Sequence, residues 1–125
     1  SDAGHVRVYE FNSGSWTQLG NDIDGEATND WFGKAVSLSA NGSILAAGAS
    51  GNDGNGTDAG HVRVYEYNSG SWTQLGRDDN GVDQYNRYGI SLNISSDGTK
   101  LVIGAVGYNG IGSARVITDL KTTGL

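Results

Sequence analysis

An all-β fold of antiparallel four-stranded sheets is predicted by three observations. The first is an internal repeat: residues 2–20 return as residues 58–76 with a single difference, Phe11 against Tyr67. Identity over so long a stretch means one structural unit used twice. The second is period-2 alternation in His5-Val-Arg-Val-Tyr-Glu-Phe11, where Val6 and Val8 point one way and Arg7, Tyr9 and Phe11 the other, as in a half-buried strand. The third is a pair of short apolar runs of small residues, Leu45-Ala-Ala-Gly-Ala49 and Leu101-Val-Ile-Gly-Ala105. Such runs suit strands buried on both faces where backbones crowd.

Taken in order, residues 5–11 form a strand, residues 12–15 a turn by composition, and residues 15–19 a second strand completing a hairpin. Residues 20–30 are polar, acidic and aperiodic, and read as a connection. Residues 34–39 and 43–49 are strands joined through Asn41-Gly42, a strong hairpin signal. Residues 50–58 form a Gly-rich loop. The cycle then repeats with strands at 61–67, 71–75, 90–95 and 100–105, and Asp97-Gly98 stands where Asn41-Gly42 stood. A third copy opens at residues 112–117 and diverges at Thr118. The Gly4-to-Gly60 spacing is 56 residues and Gly60-to-Gly112 is 52. Nine strands and no helix are expected. Small-residue inner hairpins beside aromatic outer hairpins describe wedges, and wedges of four antiparallel strands set around an axis make a β-propeller.

Phe32-Gly33 and Tyr88-Gly89, with Gly48-Ala49-Ser50 and Gly104-Ala105-Val106 downstream, resemble the FG and GAP signatures of FG-GAP repeats, the blades of integrin-α-type propellers. The Trp-Thr-Gln-Leu-Gly and Gly-His-Val-Arg-Val-Tyr stretches are similar to the bacterial and algal variety. The resemblance implies a single repeat module over residues 1–125, with a half blade in 1–20, a full blade in 31–76 and a partial blade in 88–118. Roughly two and a quarter blades fall short of the 4–8 that close a ring. Open sheet edges pair with something, so self-association, or completion by the rest of a larger propeller, is expected. Repeated head-to-tail contact gives a ring or a filament.

Composition excludes several classes. Fourteen Asp and Glu against eight Lys and Arg give a net charge of −6, which repels phosphate backbones and argues against a nucleic-acid partner. No apolar run approaches the roughly 20 residues that span a bilayer, so membrane insertion is not expected. Cysteine is absent, so there are no disulfides, thiolate metal sites or Cys nucleophile. The chain does not begin with Met, which points to processing or to a piece of something longer. The resemblance implies an extracellular or cell-surface location.

Catalysis is not expected. His5 and His61 are the only histidines and recur with the repeat, which marks them as strand-packing residues. No nucleophile elbow, His-Glu-x-x-His or phosphate loop is present. No cofactor is expected, although calcium is possible. The segments Ser39–Ser43 and Ser95–Thr99 are too short and too poor in carboxylate to carry the family's calcium loop. Acid clusters occur at Asp22, Asp24, Glu26 and Asp30, at Asp53, Asn55 and Asp58, and at Asp78, Asp79 and Asp83. If calcium binds, Asp22, Asp24 and Glu26 are the expected ligands because their oxygens fall at alternate positions. Trp16 and Trp72 recur and read as packing residues. Trp31 is replaced by Arg87 in the second copy, so if an aromatic touches a protein or glycan ligand Trp31 is the expected one, simple packing being the alternative reading. In a secreted eukaryotic chain, Asn41 and Asn55 would be good N-glycan acceptors.

Overall fold

The computed structural model describes residues 3–54, 56–82, 85–107 and 111–120. Among these, ten strands follow in order: β1 (His5–Asn12), β2 (Ser15–Asp24), β3 (Phe32–Leu38), β4 (Ile44–Ala49), β5 (His61–Asn68), β6 (Ser71–Gln74), β7 (Asp79–Asn80), β8 (Ser91–Ile94), β9 (Leu101–Ala105) and β10 (Ser113–Ile117). They pair as a two-stranded sheet β1-β2, a sheet β3-β4-β5-β6 with β7 also on β5, and a three-stranded sheet β10-β9-β8. Every ladder is antiparallel. The fold class is the one the sequence predicts: all-β, with sheets of incomplete propeller blades.

The alternation in β1 does what its pattern requires, since Val6 and Val8 are buried and the residues between them exposed. Every residue of β4 is buried, because its two faces serve two cores. One core sets Val6, Val8 and Ile23 of the first hairpin against Phe32, Leu45, Ala47, Ala49, Tyr65 and Trp72. The other sets Ile44, Ala46, Val62 and Val64 against Ile94, Leu101, Ile103 and Ala105. Successive residues of β4 therefore point into successive interfaces, as the period-2 geometry of a strand dictates. Polar contacts also cross between sheets: the Ile94 amide donates to Ser37 Oγ at 3.0 Å and the Ala40 amide to the Ser96 carbonyl at 2.9 Å.

The glycines of the Phe-Gly and Gly-Ala motifs set how closely the sheets approach. A Cβ on Gly48 would lie 2.2 Å from the Gly89 carbonyl oxygen. Gly89, at φ 89°, in turn lies over Val62, and Gly33, also at φ 89°, lies over Val6 in the same way. No side chain fits between backbones at that separation.

Three expectations need correction. Residues 20–30 are not wholly a connection, because β2 continues to Asp24. After a register shift between Val6 and Val8, pairing resumes with Val6 opposite Ile23 and His5 opposite Asp24. Buried Ile23 anchors this extension, and a single apolar residue in a polar stretch gives no periodic signal. In the second copy the same extension survives as β7, opposite Val62 and His61, so there are ten strands rather than nine. Finally, β9 is not buried on both faces: Val102 is 45% exposed where its counterpart Ala46 is 0%. Ala46 is covered by the next sheet, and no described residue covers Val102.

Gly48→Ala is expected to destabilise the protein by about 1–3 kcal/mol, the usual cost of overpacking, measured by urea denaturation. An unchanged midpoint would show that the sheets are free to separate.

Candidate functional site

The repeat carries an Arg–Asp pair. Arg7 grips Asp22 through Nε and Nη2 at 2.9 and 3.0 Å, and Arg63 grips Asp78 at 2.8 and 3.0 Å. In each copy the strand's Arg meets an Asp 15 residues on, and a Gln four residues before that Asp donates to it (Gln18 and Gln74). Paired hydrogen bonds of this kind are charge-assisted and geometrically specific. They hold the Asp22 carboxyl down to about 2 and lower that of Asp78 as well, the arginine's hydrogen bonds being the main cause.

Around Arg63 the second copy adds groups the first copy lacks. Arg63 Nη2 also donates to Glu26 Oε2 at 2.8 Å, and Asn52 Nδ2 donates to Glu26 Oε1 and to Asp30 Oδ2, both at 2.9 Å. The Gly54 amide caps Asn52 Oδ1 at 2.8 Å. Asp30 and Asn52 are each 2% exposed. Beside them lies His61, 1% exposed, with neither ring nitrogen hydrogen-bonded. Burial, followed by the Arg63 charge, pushes the imidazole below its usual range, so its neutral form is favoured. One ligand atom each from Glu26, His61 and Asp78 lie within 4.8 Å of one another.

The structure does not gather Asp22, Asp24 and Glu26 into one cluster. Asp22 is committed to Arg7 and Gln18, Asp24 pairs in β2 opposite His5, and only Glu26 reaches the group around Arg63. The cause is the strand extension, which straightens a segment that a metal loop would need to curl. Of the other acidic groups, Asp53 accepts the Asp58 amide, Asp58 faces Arg87 at 3.7 Å and Asp79 pairs with Arg115. Asn55 and Asp83 lie outside the described residues. Asn41 is exposed, with its Oδ1 accepting from Ser39 Oγ, the Ser43 amide and Ser43 Oγ. Its amide nitrogen is left for other partners.

Trp31 is half-buried, with Lys34 Nζ 4.8 Å and Arg87 Cζ 5.9 Å from its ring centroid. Its left-handed backbone, φ 59°, is repeated at Arg87, φ 52°, just as Asn29 at 67° is matched by Tyr85 at 59°. The strain belongs to the repeated turn before the Phe-Gly motif rather than to Trp31 itself. Sequence reasoning missed the burial of Asn52 and Asp30 and the grouping at His61. The Arg-to-Asp spacing of 15 in both copies was a visible signal for the ion pairs.

The identical tryptophans have opposite fates. Trp72 is 5% exposed; its indole N–H donates to the Leu19 carbonyl at 2.9 Å and its amide to Asn21 Oδ1 at 3.1 Å. Trp16 is 69% exposed and stacks only on Phe11, with centroids 5.1 Å apart. At the other end Val102 and Val116 are 45% and 59% exposed.

The segment holding β3, β4 and most of β5, with its Phe-Gly and Gly-Ala motifs, matches a known family. Residues 23–65 match the FG-GAP repeat family. FG-GAP repeats are β-propeller repeats, generally structural rather than catalytic, and typical of extracellular and surface proteins. The match covers the junction where the first hairpin meets the complete four-stranded blade, and it includes Glu26, Asp30, Asn52, His61 and Arg63. No curated protein matches the chain.

Two outcomes are expected here. Trp72→Ala should cost about 3–5 kcal/mol, whereas Trp16→Ala in the same sequence context should change the denaturation midpoint little. Asp78→Asn should lower stability by about 1 kcal/mol at neutral pH. Because the folded Asp78 titrates below its unfolded value, its contribution is full above about pH 4 and lost at lower pH. The wild-type and variant stabilities should therefore converge in acid, as read by denaturation at a series of pH values.

Proposed function

We propose that this chain is a non-catalytic extracellular module, structural and adhesive, whose outer blade faces take further blades. Those blades come from a second copy, giving a ring or a filament, or from the remainder of a larger propeller. The contrast between Trp72 and Trp16 carries this reading. One sequence, in one hairpin geometry, is buried where a neighbouring sheet supplies the Leu19 carbonyl and exposed where no described residue does so. Tyr9, Phe11 and Trp16 on one side, and Val102 and Val116 on the other, are exposed, whereas their counterparts Tyr65, Tyr67, Trp72, Ala46 and Val64 pack into the internal junctions. Exposed apolar surface of this kind marks an interaction site. A groove lined by Val6, Val8, Tyr9, Val36, Leu38 and Leu45 runs beside β1, a strand that pairs only with β2 among the described residues. In the second copy the corresponding edge of β5 is paired with β4.

Sedimentation velocity over a wide concentration range tests the self-association arm. Concentration-dependent assembly, abolished by Trp16→Ser or by Val102→Lys, is expected, with rings or filaments visible by electron microscopy. A folded chain that stays monomeric throughout would remove self-assembly and leave completion by other blades of the same propeller.

A further inference from the structure

We propose that Glu26, His61 and Asp78 form a binding site for a single divalent transition-metal ion, zinc being the best match, at the junction of the first hairpin and the four-stranded blade. The inference is independent of whether the blade faces self-associate.

Three observations converge. The first is geometric: three side chains from separate parts of the chain bring one imidazole nitrogen and two carboxylate oxygens within 4.8 Å of one another. His61 is fixed on β5, while Glu26 and Asp78 follow β2 and β6. An imidazole with two carboxylates is a donor set suited to zinc. The second is that His61 is 1% exposed and neither Nδ1 nor Nε2 has a hydrogen-bond partner. A buried ring nitrogen without a partner costs free energy, and a metal bond is one of the few things that would satisfy it. The third is charge. Glu26, Asp78 and Asp30 are linked through Arg63 and Asn52. Three carboxylates and one guanidinium leave a formal charge of −2, which a dication cancels.

The repeat supplies internal controls. In the first copy His5 is exposed, although Asp22 is held by Arg7 and Gln18 just as Asp78 is held by Arg63 and Gln74. In the third copy Ser113 stands at the histidine position and Val82 at that of Glu26. A residue set demanded by blade packing would recur, whereas the second junction has Val82 and Ser113 in place of Glu26 and His61. Calcium fits poorly because it prefers six to eight oxygen ligands.

The test is calorimetric titration of the intact chain with zinc chloride, beside calcium chloride, with thermal unfolding followed in parallel. Saturable one-to-one zinc binding and a raised melting temperature are expected, with no comparable effect of calcium. His61→Ala and Glu26→Gln should each abolish the zinc isotherm, and His5→Ala should leave it intact. Glu26→Gln preserves shape at an exposed position, so it reports on the site even if His61→Ala folds poorly. Absence of saturable zinc binding, or an isotherm unaffected by Glu26→Gln, would overturn the proposal.

Discussion

Backbone-to-backbone contact at Gly48 and Gly89 is the constraint on which the rest of this structure depends. With 2.2 Å between a hypothetical Cβ and the facing carbonyl oxygen, the backbones lie too close there for any side chain. That closeness allows Ala46, Ala47 and Ala49 to fill the space between sheets while the larger Val62, Val64 and Tyr65 fill it farther out. The taper from small inner to large outer side chains makes each sheet a wedge. The Phe-Gly and Gly-Ala signatures are thus two halves of one contact, made between successive blades rather than within one.

Much of this was legible in the sequence, for a physical reason. Side-chain alternation in residues 5–11, the small-residue run at residues 45–49 and the exact repeat each report a constraint imposed on many residues at once. Ile23, by contrast, is one apolar anchor in an acidic stretch, and its pairing with Val6 depends on a register shift that no local pattern announces. The exposure of Val102 was illegible for a different reason: its environment is set by what lies beyond the sheet, and the residue is as apolar as its buried counterparts. The same holds for Trp16 and Trp72, which no local reading could separate.

The candidate site shows a similar division. The Arg–Asp pairs follow from a spacing repeated in both copies, whereas the grouping of Glu26 with His61 and Asp78 joins residues of different repeats. Only the stacking of sheets brings them together. Arg63 has a structural part in this, binding Asp78 through two hydrogen bonds and Glu26 through a third, so that the loop after β2 is tied to the blade that follows it. The polar end of the junction and its glycine-lined interior therefore act on the same two sheets, one through charge and the other through shape.

The near-identity of β1–β2 and β5–β6 has a consequence for how the chain reaches this state. Both hairpins present the same Val-x-Val edge, so either could dock beside β4, and the side chains alone scarcely distinguish them. What distinguishes them is connectivity. β5 follows β4 directly across a short connection, so its loop closes at smaller entropic cost than a longer detour would. The assignment of hairpins to berths therefore follows chain order, the berth beside β4 going to the hairpin whose loop closes at the smaller entropic cost.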